Sequence, residues 1–383
     1  MQFRKFGKLD WKGSVLGFGC MRLPASHGNA NGANINEMEA VRMIRHAVDQ
    51  GVNYFDSAYI YHEGNSESVL GKALLGVRDR VKIATKCPVW MIQNEADFDR
   101  MLREQLQKLQ TDHIDFYLLH ALDKKRWNET VPKYKLLEKA EAAVHGGRIR
   151  HLGFSFHDTY ESFPEIVNGY DGWSFCQIQY NYLDTDNQAG TRGLKLAAAK
   201  GLAVVVMEPL LGGRLANPPR SIRQAIDQHS VKRSPVDWAL QWLWDQPEVS
   251  VVLSGMSTMD QLTANLASAA NARCHSFQPA DRKLIAELQQ QYAQRAAIPC
   301  TKCNYCMPCP NGVNIPSNFE IYNESFLHED VPGAQFKYQI FIADTARASL
   351  CVACHECEDR CPQKIAISVW MSRVHSLLSA NAH

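Results

Sequence analysis

Asp56, Tyr61, Lys86 and His120 are the residues on which acid–base chemistry can be built in this chain. The stretch Asp56 to Glu67 reads Asp-Ser-Ala-Tyr-Ile-Tyr-His-Glu-Gly-Asn-Ser-Glu, follows the apolar run Val52 to Phe55 and leads into Val69, Leu70, Ala73 and Leu74 at helical spacing. Lys86 ends a strand-like run from Val81, and His120 ends another from Ile114. A tyrosine with its ordinary pKa of about 10 is a poor proton shuttle at neutral pH unless a nearby cation stabilises its anion. Lys86 is placed to be that cation, Asp56 to hold it charged, and His120 to orient an oxygen or share the proton. The same residues also have a structural reading, an Asp56–Lys86 ion pair with Tyr61 as packing. His62 is expected to be an exposed neighbour.

A second chemistry lies in the cysteines. Of twelve, Cys20, Cys87, Cys176 and Cys274 are scattered and read as inert thiols, while the other eight fall between Cys300 and Cys361. The amino terminus has no apolar core of the kind a secretory signal needs, so the expected location is the cytoplasm, where disulfides are rare and clustered cysteines point to metal. Cys300, Cys303, Cys306 and Cys309-Pro310 give C-x2-C-x2-C-x2-C-P; Cys351, Cys354, Cys357 and Cys361-Pro362 give C-x2-C-x2-C-x3-C-P. The second is the bacterial ferredoxin run, in which three thiolates hold one cubane and the fourth crosses to the other. On that pattern Cys300, Cys303, Cys306 and Cys361 bind one [4Fe-4S] cluster, and Cys351, Cys354, Cys357 and Cys309 the other. The first run is one residue shorter than the pattern. Tetrahedral zinc on paired C-x2-C knuckles is the competing reading. His355, inside the second run, reads as a solvated neighbour.

The elements that must position these groups alternate. Strand-like runs at Val15 to Gly17, Val52 to Phe55, Val81 to Lys86, Ile114 to His120, His151 to Ser155, Phe175 to Gln179, Ala203 to Met207 and Val249 to Leu253 are separated by segments of helical period, such as Val41, Ile44 and Val48 before Gly51. Ser234-Pro235 is a cap followed by a first-turn proline. Eight such units favour an α/β chain closed into a (β/α)8 TIM barrel, with the loops after the strands forming the active face. The open doubly wound sheet is the runner-up, but no Gly-x-Gly-x-x-Gly turn follows the first strand. The short polar opening is expected to form a hairpin over the barrel floor. Leu284, Leu288 and Tyr292 suggest a further helix closing the barrel, so the expected domains are 1–294 and 295–383. The tail from Pro316 to Arg347 is read as helices that pack the clusters against the barrel, in a small, mostly helical, ferredoxin-like domain.

Composition narrows the partners. The 383 residues carry a formal charge of +1, with 21% charged residues, and no electrostatic reason to expect nucleic acid or an anionic membrane. Mean hydropathy is −0.30, and the longest apolar run, Leu202 to Met207, is far short of a membrane span.

An acid, a tyrosine, a lysine and a histidine at successive strand ends resemble the aldo/keto reductases, as does Gly17-Phe18-Gly19-Cys20-Met21-Arg22. With the cysteine tail, the chain is similar to the iron-sulfur-bearing branch of that family. The resemblance implies reduction of a small-molecule carbonyl, or oxidation of the alcohol, with Tyr61 as acid/base. It also implies a nicotinamide cofactor, NADP(H) or NAD(H), with Ser155 and Gln177 on the carboxamide and Asn265 near the adenine. Met207, Ser254 and Gln261 complete the implied cofactor rim. Phe156 stands where an asparagine is usual and Met207 where a ring-stacking tyrosine is usual. Gly255, Met256 and Gln261 replace lysine, serine and arginine, leaving nothing cationic there for a ribose 2′-phosphate. NADH, weak binding or a flavin are therefore open alternatives.

A hydride moves two electrons and a cubane one, and a flavin can bridge the two. Three readings follow: a carbonyl reductase with structural or regulatory clusters, a flavin- or cluster-linked enzyme with a ferredoxin-like electron partner, or a non-catalytic redox sensor or carrier. The loops around the mouth carry no readable substrate preference. Trp90 and Trp127 serve equally as pocket walls or packing anchors.

Overall fold

The computed structural model describes residues 1–26, 32–300, 306–361 and 363–380. Eight parallel strands close a barrel: β1 Leu16–Gly19, β2 Tyr54–Asp56, β3 Lys82–Pro88, β4 Ile114–Leu122, β5 Ile149–Phe156, β6 Phe175–Gln179, β7 Ala203–Met207 and β8 Val249–Gly255, with β8 pairing back onto β1. Closure rules out the open doubly wound sheet. The strands are buried on both faces, and so they read as continuous apolar runs such as Ala203-Val204-Val205-Val206 rather than as alternations. Among the described residues, no helix is long and apolar enough to cross a membrane.

The expected hairpin is present, pairing Phe3–Lys5 with Lys12–Ser14. Its turn delivers Phe6 into the barrel floor, where the ring lies 4.6 Å from Phe116 and 5.8 Å from both Tyr54 and Phe175. Gly7 permits this: its φ is +55°, and a Cβ there would stand 2.4 Å from the Ala203 nitrogen.

Helices α1 Glu37–Asp49, α2 Ser66–Leu74, α3 Asp97–Leu109, α4 Leu136–His145, α5 Phe163–Asn168, α6 Gly190–Ala199, α7 Pro235–Trp244 and α8 Met259–Ala270 follow the strands in turn. Ser234 caps α7 as its sequence suggests, accepting the Asp237 N–H, and Pro235 fills the first turn.

The chain divides into two compact units, Met1–Ala216 with Arg233–Gln278, and Asn217–Lys232 with Pro279–His383. Helix α9, Pro279–Gln294, carries the expected Leu284, Leu288 and Tyr292 face but falls in the second unit. That unit is helical, with α10 Ile315–Leu327, α11 Val331–Phe341 and α12 Ile367–Ser379 around a core of Phe319, Tyr338, Met371 and Val374.

Candidate active site and cysteine centre

Three strands bring the candidate acid–base residues to one mouth. Asp56 ends β2 in register with Gly19 and Ala84, Lys86 lies in β3, His120 in β4, and Tyr61 opens the turn after β2. Lys86 Nζ donates to Asp56 Oδ1 at 2.5 Å and to the Ser57 carbonyl at 2.6 Å. The ammonium also stands 4.7 Å from the centre of the Tyr61 ring, close enough for its charge to act on that side chain. The Tyr61 and His120 rings meet edge to face, 6.2 Å apart at 82°.

Burial sets the electrostatics. It opposes charge on Lys86, but the facing Asp56 carboxylate outweighs it and holds the lysine protonated, above the ordinary lysine value. Burial lifts the Tyr61 hydroxyl above its usual value, and Lys86 pulls it back. Burial, and then the field of Lys86, push His120 well below the ordinary histidine value, so it is neutral at physiological pH. Its Nδ1 is buried without a hydrogen-bond partner among the described residues.

Behind Lys86 lies a network absent from the sequence reading. Glu67 on α2 is fully buried; its Oε1 accepts from Thr85 Oγ1 at 2.6 Å and Gln105 Nε2 at 2.7 Å. Gln105 on α3 also donates to the Lys86 carbonyl at 3.1 Å and accepts from Tyr117 at 2.7 Å. Gly71 lets α2 and α3 approach closely enough for this, since a Cβ there would meet the Lys108 carbonyl at 2.5 Å. The lysine backbone is thereby tied to two helices. The only advance signal was a glutamate and a glutamine on the apolar faces of amphipathic helices.

His62 is not an exposed neighbour. It is buried, its Nε2 accepts the Leu23 N–H at 3.1 Å, and its Nδ1 faces the Gly32 carbonyl at 2.8 Å as donor. These bonds fix a turn in which His62 and Glu63 have φ of 52° and 55°, immediately after Tyr61. Burial holds His62, like His120, below the ordinary value. The unfolded chain therefore binds protons first as pH drops below about 6.5, and stability falls over that range. His62→Leu is expected to cost about 1–3 kcal/mol for each backbone group left unpaired and to flatten the acid slope. Urea titrations from pH 7.5 down to 5 check this, and an unaltered slope would clear His62 of the role.

The cofactor-rim residues fall in two groups. Ser155 and Gln177 are register partners on β5 and β6; Gln177 Nε2 reaches Asp56 Oδ2 at 3.4 Å, and Ser155 Oγ accepts the Ala121 N–H at 2.7 Å. Gln177 Oε1 is buried without a partner among the described residues, and the Ser155 hydroxyl keeps its proton to donate. An orphaned acceptor beside a free donor fits a carboxamide. Met207 ends β7, half-buried. In the other group, Asn265 donates to Ser254 Oγ at 2.9 Å, Gln261 Oε1 accepts the Ser257 N–H at 2.8 Å, and Thr258 Oγ1 accepts the Gln261 N–H. The donors at the start of α8 are thus already partly used. A cation does stand at this rim, contrary to expectation: the Arg22 stem lies 3.4 Å from a Cβ built on Gly255, and its guanidinium donates to the Gly212 carbonyl at 3.2 Å. Arg22 is remote in sequence from the loop it covers, which is why the loop alone did not disclose it.

Trp90 and Trp127 separate in role. Trp90 is 42% exposed and its ring lies 5.0 Å from His120, tilted at 54°, so it faces the mouth. Trp127 packs on Trp173 and over Gly169 as an anchor.

In the second unit, Cys309, Cys351, Cys354 and Cys357 line one hollow together with Val313, Ile315 and Met371. Among the described residues, no three His, Cys, Asp or Glu side chains converge on a single metal ion. Four thiols around one hollow match the four corner irons of a cubane, each of which takes one thiolate. Cys306 and Cys361 are buried in the adjoining core, with Cys300 packed against it; Cys303 lies outside the described residues. Burial, with Glu358 and then nearby thiols adding, pushes the Cys357 thiol up to about 11. His355 is exposed, as expected, and pairs with Glu358 at 3.2 Å.

Two asparagines on α10 hold the approaches to the cysteine runs. Asn323 exchanges hydrogen bonds with both backbone groups of Ile298 at 2.8 Å. Asn318 donates to the Ala346 carbonyl at 2.9 Å and accepts the Ala348 N–H at 2.8 Å. Asn318→Ala removes one partner from each of these groups, which keep the Asn314 N–H and the Tyr338 hydroxyl, at a cost of about 0.5–1.5 kcal/mol per lost bond. The expected result is a lower urea midpoint and less iron per chain after reconstitution; unchanged values of both would contradict it.

Comparison with known proteins agrees with both halves. Residues 15–278 match the Aldo/keto reductase family, and residues 299–366 match a 4Fe-4S dicluster domain, which implies two clusters. The chain is 26% identical over 307 residues to the uncharacterized oxidoreductase YqkF of Bacillus subtilis, covering 71% of this chain and 92% of that protein. It is 24% identical over 305 residues to the probable aldo-keto reductase 1 of Glycine max, covering 70% and 84%. Among solved structures it resembles the holo form of aldo-keto reductase AKR11C1 from Bacillus halodurans, with a TM-score of 0.63, 26% identity, and coverage of 75% and 96%.

Proposed function

For a chain that belongs to the aldo/keto reductase family and carries a 4Fe-4S dicluster domain, we propose that the barrel mouth reduces a small-molecule carbonyl with Tyr61 as general acid. The observation that carries this is the buried Lys86 ammonium, fixed by Asp56 and set against Tyr61. The Tyr61 hydroxyl gives its proton to the carbonyl oxygen, and Lys86 stabilises the phenolate left behind. Neutral His120 orients the oxygen, and the orphaned Gln177 Oε1 with the Ser155 hydroxyl would hold a carboxamide. A nicotinamide bound there supplies the hydride.

Gln261 spends its side chain on the Ser257 N–H, and Arg22 is the cation at that rim. One partly exposed charge discriminates weakly, so NADH and NADPH are expected to support turnover within about tenfold of each other. The four thiols Cys309, Cys351, Cys354 and Cys357 are assigned to one cluster, and Cys300, Cys303, Cys306 and Cys361 to the other. Cys354 is exposed, which favours exchange of single electrons with an external ferredoxin-like carrier. The test is anaerobic titration of the purified protein with each nucleotide, followed by a carbonyl panel. Nucleotide consumed on carbonyl addition supports the reading, and bleaching of the cluster absorbance would add electron exchange between barrel and clusters. No consumption with any carbonyl would overturn it.

A further inference from the structure

The loop after β4 carries a cation that makes no hydrogen bond to Asp56, Tyr61, Lys86 or His120. Arg126 opens a π-helical segment, Arg126–Thr130, a rare conformation that recurs at functional sites. Its guanidinium is anchored on one side only: Nη1 donates to the Ala121 carbonyl at 2.6 Å and pairs with Asp123 Oδ2 at 3.0 Å. Among the described residues, nothing hydrogen-bonds to its Nε or Nη2. That free edge presents two parallel N–H donors, the fork that matches a carboxylate.

The position of this edge relative to the chemistry follows from three successive contacts. Arg126 Cζ lies 5.3 Å from the Trp90 ring, Trp90 lies 5.0 Å from His120, and His120 lies 6.2 Å from Tyr61. Trp90, 42% exposed, offers an apolar face between the reacting oxygen and the cation. Asp123 orients the guanidinium without removing the positive excess of the loop, because Lys124 and Lys125 stand exposed beside it. Arg126 is also among the cations whose field keeps His120 neutral, which places it within electrostatic reach of the site.

We propose that Arg126 selects carbonyl substrates bearing a carboxylate, binding it through the Nε and Nη2 edge while the substrate body lies on Trp90. The proposal rests on the carbonyl-reductase reading and adds the substrate class to it. Bidentate recognition of this kind favours the acid over its ester by roughly 10- to 100-fold. A lysine at this position would keep the charge but lose the fork.

The experiment compares kcat/KM for 4-carboxybenzaldehyde and its methyl ester in the full chain, in Arg126→Met and in Arg126→Lys. In parallel, calorimetry measures binding of 4-(hydroxymethyl)benzoate and its methyl ester. The wild type should prefer the acid, Arg126→Met should bring the ratio to about one, and Arg126→Lys should fall between. A purely structural role, through the Ala121 carbonyl, would slow acid and ester together; an unchanged ratio in Arg126→Met overturns the proposal. So does a wild type that takes both equally. If neither aldehyde is reduced while the acid still binds in an Arg126-dependent way, the carboxylate site stands and the reductase reading falls.

Discussion

Tyr61→Phe is expected to lower kcat/KM for carbonyl reduction by about 10²- to 10⁴-fold, the range a positioned general acid supplies. The substitution removes one oxygen and keeps the ring that meets His120 edge to face at 6.2 Å. Packing and nucleotide binding should therefore be nearly unaltered, and the loss should fall on kcat. The wild-type pH profile supplies a second check. Reduction needs the protonated hydroxyl, which burial raises above its ordinary value against the pull of Lys86. Activity should accordingly hold through neutral pH and fall only as pH rises through the tyrosine pKa, above about 10. Steady-state rates with a carbonyl panel decide the matter: turnover within tenfold of wild type would remove Tyr61 as the acid.

Lys86→Met is expected to affect both activity and stability. The methionine fills a similar volume, but Asp56 is left buried with Gln177 Nε2, at 3.4 Å, as its remaining side-chain partner. Removing one member of a buried ion pair costs about 3–5 kcal/mol. Burial then raises the Asp56 carboxyl further above its unfolded value, so the folded state binds a proton more readily than the unfolded one. That contribution is lost as pH rises through the folded pKa, so the deficit relative to wild type should narrow on acidification. Adding Asp56→Asn to Lys86→Met should return much of the lost stability, because it removes the stranded charge. Urea titrations at two pH values test this. A deficit independent of pH, and unrelieved in the double variant, would mean that packing rather than charge links the two residues.

The four candidate acid–base residues were legible because they fall at or near the ends of strands, which local patterning sets. Lys86 and His120 proved to lie inside β3 and β4, which extend to Pro88 and Leu122, yet the mouth they reach is the one expected. The two cysteine runs were legible for a similar reason, since short loops must wrap the corners of a cluster whatever surrounds them. Patterning said nothing reliable about His62, whose role depends on Leu23 and Gly32 across a loop.

Strand and helix period, turn residues and motif spacing are properties of a few consecutive residues. The sequence by itself therefore determined an eight-unit barrel, the residues gathered at its mouth and a cysteine tail. Tertiary structure decided whatever depends on which distant side chains meet. It set Glu67 and Gln105 behind Lys86, carried Arg22 over Gly255, and placed Arg126 on Trp90 beside His120. It also made Asn318 and Asn323, ordinary polar residues in a helix, into clamps on the chain before each cysteine run. Hydrogen bonds and charge pairs act over a few ångströms in space, and local spacing in the chain carries no record of such neighbours.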